Sequence, residues 1–302
     1  MELWIPITIA AAFMQNLRFM LQKHLKSTRL STGGATFSRF IFASPLAAIL
    51  FVVLITARPN QVPGVDARFF VFAITGAISQ ILATLCVVAL FAERNFTVGI
   101  TFKKTETVQT AMIGFVVLGE AVSPLGFVAI LIGLVGVVLL SDPPKSSSRS
   151  GWKARLFNRA SGLGLGSGAL FGVSAIGYRG ASLALLGGDF LIRAAATLAF
   201  VTLFQTILMA MFLAKREPGQ ITAVLKSWRL TGLVGLTGML GSFGWFAAFT
   251  LQNAAYVKTL GQIELVFTFI ASYFFFKERN SKRELAGIGL VIASILALVI
   301  LL

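Results

Sequence analysis

Charged residues, cysteine and histidine are all scarce in this chain of 302 residues. Only 12% of the residues are charged, which is roughly half of the share expected for a soluble domain. Cys86 is the only cysteine, so no disulfide forms within the chain, and with His24 as the only histidine a zinc site of the usual ligands is not expected. No nucleotide-binding loop, nucleophile motif or acid-rich metal motif occurs, so we expect neither a cofactor nor enzymatic activity.

Hydrophobic residues, in contrast, make up 57% of the chain, and the mean hydropathy is +0.87. The apolar runs are long enough to cross a bilayer of about 30 Å at about 1.5 Å per residue. We count ten such spans, at 3–22, 32–57, 68–91, 97–118, 122–140, 160–181, 187–214, 229–251, 254–276 and 284–302. The sequence therefore predicts an all-α integral membrane protein with ten transmembrane helices.

Basic residues give the chain a net charge of +15, and most of those in loops follow odd-numbered spans. Because cytoplasmic loops are enriched in lysine and arginine, this distribution predicts that the odd-numbered loops are cytoplasmic. An even number of spans then places both termini on the periplasmic side of a bacterial inner membrane. No nucleic-acid partner is expected, because the basic residues form no continuous face with interleaved aromatic residues.

Two stretches of the chain share one layout. Glu106 lies inside the fourth span and Glu120 at its end, and Glu264 and Glu278 take the same places 158 residues later. This repetition predicts two five-helix repeats, residues 1–141 and 160–302, joined by a basic polar linker at 142–159. Because five is an odd number, the repeats cross the membrane in opposite directions. Inverted repeats of this kind place a central cavity near the midplane of the bilayer.

The two intramembrane glutamates are the first candidates for a functional site, because carboxylates at that depth are costly. Glu106 has Lys103 one helical turn before it, so it is either a self-neutralised pair or a carboxylate that lines an aqueous cavity. Glu264 has no basic residue at that spacing, so its charge is compensated by a residue of another helix, by a substrate or by protonation. Lys258 is expected at the membrane interface, and where Glu106 and Lys103 form a self-neutralised pair Lys104 extends towards the headgroups.

Other polar and aromatic side chains also lie inside the spans. Trp245 is mid-span, away from the interfacial belt, and either packs in the core or stacks on a substrate. Arg39 and Arg193 take corresponding places in spans two and seven, where they pair with a glutamate of another helix or with a substrate carboxylate. The predicted substrate-binding set is Gln15, Gln80, Glu106, Tyr178, Trp245 and Glu264.

The ends of the repeated spans carry a family resemblance. The sequence LGE at 118–120 precedes Pro124, and FKE at 276–278 precedes LAG at 285–287. These motifs resemble the drug/metabolite transporter superfamily, in particular its EamA-type members. Within that superfamily the chain looks most like the YddG-type amino-acid exporters, although Phe13 and Gln15 stand near the place of the usual tryptophan of span one.

This resemblance implies a monomer of ten helices around a central cavity, without a cofactor, that works by alternating access. It also implies export of amino acids, either aromatic or small and neutral, or of related small metabolites across the inner membrane. A proton-coupled exporter of drugs or lipophilic cations is the alternative within the same class. An intramembrane transferase would need clustered acids or a histidine facing one leaflet, and the position of His24 near a loop argues against it. A membrane scaffold without transport activity is the third alternative.

Overall fold

The computed structural model describes residues 2–28, 30–90, 102–140, 159–267 and 282–301. Within these ranges the chain is helical, and its β-type pairing is limited to one bridge between Gly64 and Leu186. The helices are α1 (Trp4–Thr28), α2 (Thr32–Ala57), α3 (Ala67–Leu90), α4 (Glu106–Leu118), α5 (Pro124–Leu140), α6 (Arg159–Ala184), α7 (Phe190–Arg216), α8 (Gln220–Lys226), α9 (Trp228–Leu251), α10 (Ala254–Leu260) and α11 (Lys282–Leu301).

Six of the described helices, α2, α3, α6, α7, α9 and α11, are long and apolar enough to cross a membrane. Helices α4 and α5 are apolar but shorter. Helix α1 has 25 residues, and polar side chains such as Arg18 and Gln22 make it less apolar than these six. The prediction of a helical membrane protein is therefore confirmed. The count of ten spans and the inverted order stay predictions, and the predicted linker lies outside the described residues apart from Arg159.

The most extensive helix contacts join the first half of the chain to the second. Helix α3 packs on α6, α1 on α9, α2 on α7, and α5 on α11, and α4 also contacts α10. In the predicted repeat α1, α2 and α3 correspond to α6, α7 and α9, so exchanging the two halves turns the α3–α6 pair into the α9–α1 pair. The α2–α7, α5–α11 and α4–α10 pairs each map onto themselves. The core of the protein therefore lies between the halves.

The described loops meet in two separate groups, at opposite ends of α2 and α7. Before α2, the hydroxyl of Ser31 donates a hydrogen bond to Glu217, which follows α7. At the other ends of these helices, Arg58 pairs with Asp189. The loop after span one thus contacts the loop after span seven, and the loop after span two contacts the loop after span six. This grouping agrees with the predicted separation of odd- and even-numbered loops.

Candidate functional site

Two helical segments that face each other across the halves are interrupted at corresponding positions. The chain turns at Lys104 and Thr105, directly before α4 begins. It turns again at Gly261 and Gln262, directly after α10 ends, and residues 263–267 are helical once more. An interruption of this kind leaves backbone groups without helical partners, and at membrane depth it is tolerated where it is buried in protein or lines a cavity.

Each of the two glutamates beside these interruptions pairs with a lysine from the other half of the chain. Glu106 Oε1 lies 2.5 Å from Lys258 Nζ, and Glu106 Oε2 lies 3.6 Å from Lys103 Nζ. Glu264 Oε1 contacts Lys104 Nζ. All five side chains are 7–14% exposed, so these are buried ion pairs. The pairing between Glu106 and Lys103 expected from their spacing is present, but the contact with Lys258 is the shorter one.

Two of these lysines lie in the protein interior instead of at the membrane surface. Lys258 was expected at the interface, and one of the two interpretations of Glu106 placed Lys104 at the headgroups. Their side chains are only 12% and 9% exposed. The reason is the pair of helix interruptions, which holds each lysine against a carboxylate of the opposite half. A strong opposite charge in the interior outweighs the tendency of a lysine to reach for water.

A small cavity of about 30 Å³ lies between the interruptions and is lined by these five charged residues together with Gln15 and Trp245. Gln15 Nε2 lies 3.5 Å from Glu264 Oε2 and donates to it. A second cavity of about 20 Å³ also has Gln15, Trp245 and Lys258 in its lining, so the two adjoin. Each volume holds about one water molecule.

The second cavity contains Arg39. Its guanidinium donates to the hydroxyl of Ser242 at 3.0 Å and to that of Thr84 at 3.3 Å. Arg39 was expected to pair with a glutamate of another helix or with a substrate, and no described glutamate lies within ion-pair distance of it. Its expected counterpart has a different role: Arg193 lies in the first turn of α7 and donates to the carbonyls of Gly187 and Gly188.

Gln205 on α7 holds two of the predicted site residues in place. Its Nε2 donates to Tyr178 Oη at 3.2 Å and to Gln80 Oε1 at 3.0 Å. The Tyr178 ring stacks on Phe246, with 4.2 Å between the ring centroids. Sequence reasoning missed Gln205, although an isolated glutamine in the middle of an apolar span is a signal that could have singled it out.

Trp245 lines both cavities. Lys258 Nζ lies 4.8 Å from the centroid of its ring, a cation–π distance. The ring stacks on Phe249 at 5.8 Å. The indole nitrogen is buried, and no acceptor for its hydrogen lies among the described residues. Trp245 therefore packs in the core, one of the two alternatives drawn from the sequence, and it also faces both cavities. Stacking on a substrate stays a prediction.

The structure brings all six predicted site residues together around these cavities. Glu106 and Glu264 line the first cavity, Gln80 and Tyr178 line the second, and Gln15 and Trp245 line both. Substrate binding by these residues stays a prediction.

The glutamate at the end of span four lies elsewhere. Helix α4 ends at Gly119 in the left-handed conformation (φ 68°), which turns the chain so that Glu120 meets Arg179. Arg179 Nε lies 2.8 Å from both oxygens of Glu120, and its Nη1 donates to the carbonyl of Gln252. This cluster joins the ends of α4, α6 and α9. The counterpart of Glu120, Glu278, lies outside the described residues.

Comparison with known protein families decides what these two halves are. The model of the EamA-like transporter family matches twice, over residues 2–142 and 160–300. The chain belongs to the EamA-like transporter family. A crystal structure of a protein with 11% sequence identity aligns with a TM-score of 0.70 over 99% of this chain and 96% of that one, which shows a shared fold only. A comparison with curated proteins found no match.

Membership of the EamA-like family confirms the superfamily inferred from the span-end motifs. It makes the chain a multi-pass membrane transporter of small substrates, consistent with the expectation that it is not an enzyme. The closer resemblance to the YddG-type exporters stays a prediction, as do the identity of the substrate and the direction of transport.

Proposed function

We propose that this EamA-like protein is a secondary transporter that exports amino acids, or related small metabolites, across the inner membrane by alternating access. The observation that carries the proposal is the pair of helix interruptions at corresponding positions of the two halves, each beside a buried glutamate. In secondary transporters built from inverted repeats, paired interruptions of this kind form the substrate and ion sites.

The exchange symmetry of the helix contacts supports an inverted-repeat mechanism. Because α3–α6 and α1–α9 become each other when the halves are exchanged, a rearrangement that opens one end has a related rearrangement that opens the other. The two groups of loops provide the two ends, and the cavities lie between the halves. The repeats proposed are residues 1–141 and 160–302, acting within a monomer.

The proposed substrate contacts follow from the chemistry of the cavity lining. Gln15, Gln80 and Tyr178 supply neutral polar groups, Trp245 supplies an aromatic face, and the carboxylates of Glu106 and Glu264 supply charge or a proton site. A lipophilic-cation exporter, the runner-up, is disfavoured because the described lining has more cations than carboxylates and both carboxylates already have lysine partners.

The test is flux of labelled solutes into proteoliposomes, comparing the native chain with Glu106→Gln and Glu264→Gln, with and without a pH gradient. We expect flux of several amino acids or related metabolites, reduced in both variants, and dependence on the gradient if protons are coupled. Glu217→Gln is the matched control, because this carboxylate contacts Ser31 outside the cavities. If correctly folded protein transports no member of the panel, or if the two glutamate variants behave like the control, the proposal is wrong.

A further inference from the structure

The cavity lining described above carries an excess of positive charge. Lys103, Lys104, Lys258 and Arg39 line the two cavities, and the carboxylates that line them are Glu106 and Glu264. Each glutamate already contacts at least one lysine. The remaining described carboxylates lie outside both linings, at Glu2, Asp66, Glu120, Asp189, Glu217 and Glu284.

Arg39 is the one of these four lining cations that contacts no carboxylate among the described residues. It is 5% exposed, and the hydrogen bonds it makes go to the neutral hydroxyls of Ser242 and Thr84. A guanidinium has five donor hydrogens and no acceptor, so these two partners leave part of its capacity unused. A buried cation without an anionic partner is costly, and in a membrane protein such a group is a functional-site hypothesis.

A second arginine next to Arg39 increases the local positive charge. Arg18 is 2% exposed and donates to Gln22 at 2.6 Å, again a neutral partner. A Cβ built on Gly238 would lie 3.2 Å from both Arg18 Cδ and Arg39 Cγ, so both side chains run past this glycine of α9. The absence of a side chain at position 238 therefore makes room for two adjacent arginines.

An independent observation points in the same direction. Trp245 Nε1 is buried without an acceptor among the described residues, and Trp245 lines both cavities. An indole nitrogen is a donor only, so the group that completes it must bring an acceptor. The amide oxygen of Gln262 is also unpaired, but it lies about 3.0 Å from the position of a Cβ on Gly133, in the direction of α5. Glu106 Oε1, the other acceptor of this lining without a hydrogen bond, lies 2.5 Å from Lys258 Nζ and is compensated by its charge. The unpaired group that faces both cavities is therefore the indole donor, which needs an acceptor.

We infer that the transported substrate is a small organic anion whose carboxylate binds Arg39, Lys258 and the indole N–H of Trp245. This inference deepens the proposed function and rests on it. A planar guanidinium and a carboxylate match in a bidentate arrangement, and charge-assisted hydrogen bonds of this type are stronger than neutral ones. The ammonium group of a neutral amino acid is less well matched, because the two linings hold four cations but only two carboxylates, each of which already contacts a lysine.

The test uses solutes that differ in charge but little in size. Counterflow in proteoliposomes compares succinate, aspartate and asparagine, with glycerol 3-phosphate to separate carboxylates from phosphates and tetraphenylphosphonium as a lipophilic cation. Asparagine also has a carboxylate, but its ammonium group makes it neutral overall in a lining with excess positive charge. We therefore expect succinate and aspartate, which are net anions, to exchange at least about tenfold faster, a factor of about the size of one charge-assisted hydrogen bond. Faster exchange of glycerol 3-phosphate than of either carboxylate would overturn the assignment of a carboxylate.

Variants connect this selectivity to the named side chains. Arg39→Gln is expected to slow anion exchange by about tenfold or more, and Trp245→Phe, which keeps an aromatic ring but removes the N–H, by several-fold. Arg193→Gln is the matched control, because this arginine binds loop carbonyls outside the cavities. Melting temperatures in detergent verify that each variant is folded.

The possible outcomes distinguish a failure of the anion inference from a failure of the proposed transport function. If asparagine is exchanged and the anions are not, or if Arg39→Gln and Arg193→Gln have equal effects, the anion inference is overturned and the transporter proposal stands. If native, folded protein exchanges none of these solutes or the wider amino-acid panel, the proposed function is overturned together with the inference.

Discussion

The ion pair between Lys104 and Glu264 offers the sharpest energetic test of the site. Its two side chains come from opposite halves and are 9% and 14% exposed. Removing one partner of a buried pair leaves the other charge uncompensated, which typically costs about 3–5 kcal/mol. We therefore expect Glu264→Gln to lower the free energy of unfolding by about 3 kcal/mol. The loss is enlarged by Lys103, whose charge also lies in this cavity.

Removing both charges should restore much of this loss. In the double variant Lys104→Gln/Glu264→Gln no charge of this pair remains buried, so the variant is expected to be more stable than Glu264→Gln alone. The coupling free energy from the double-mutant cycle should be about 2–4 kcal/mol, within the range for charges that interact in a protein interior. Unfolding in mixed micelles with a rising fraction of denaturing detergent measures all four proteins.

An exposed pair in the same chain gives the control cycle. Arg58 and Asp189 also join the two halves, but their side chains are 44% and 27% exposed. Exposed pairs contribute about 0–1 kcal/mol. If the coupling of Lys104 to Glu264 does not exceed that of Arg58 to Asp189, the two lysine–glutamate pairs do not hold the halves together and the reasoning fails.

Two further predictions concern the second cavity and the membrane orientation. Gln205→Leu removes the donor shared by Tyr178 and Gln80 and should destabilise the fold by about 1–3 kcal/mol, seen as a lower melting temperature; an unchanged value would contradict the role of Gln205. A reporter enzyme fused after Leu302 should be active on the periplasmic side, because the odd-numbered loops carry most of the loop lysines and arginines. Activity confined to the cytoplasm would reverse the predicted orientation.

The sequence was sufficient for features that depend on a single segment. Apolar runs predicted the membrane helices, and the repeated spacing of Glu106 and Glu264 directed attention to the segments that prove to be interrupted. Both glutamates could be predicted as site residues because a carboxylate inside an apolar run is recognisable from the sequence alone. The span-end motifs were sufficient for the family.

Features that depend on contacts between distant segments could not be predicted from the sequence. The partners of the glutamates lie on the opposite half, and spacing along one helix reveals only neighbours three or four residues away, such as Lys103. Lys258 was predicted to lie at the membrane interface because it is near a span end. Arg39 and Arg193 looked equivalent by apolar pattern, yet Asp189 starts α7 so that Arg193 falls in its first turn.

The lysine–glutamate pairs also determine what opening of the cavity requires. Lys104–Glu264 and Lys258–Glu106 both join one half of the chain to the other, so halves that move apart to admit a substrate must break or rearrange these pairs. In a dry interior each broken pair costs several kcal/mol, and entering water reduces this cost because it solvates the separated charges. An anion that binds Arg39 and Lys258, as inferred above, gives Lys258 a second partner at the moment when Glu106 is released. The same charges that join the two halves would then make their separation easier when the substrate is present, which is the coupling that a transporter requires.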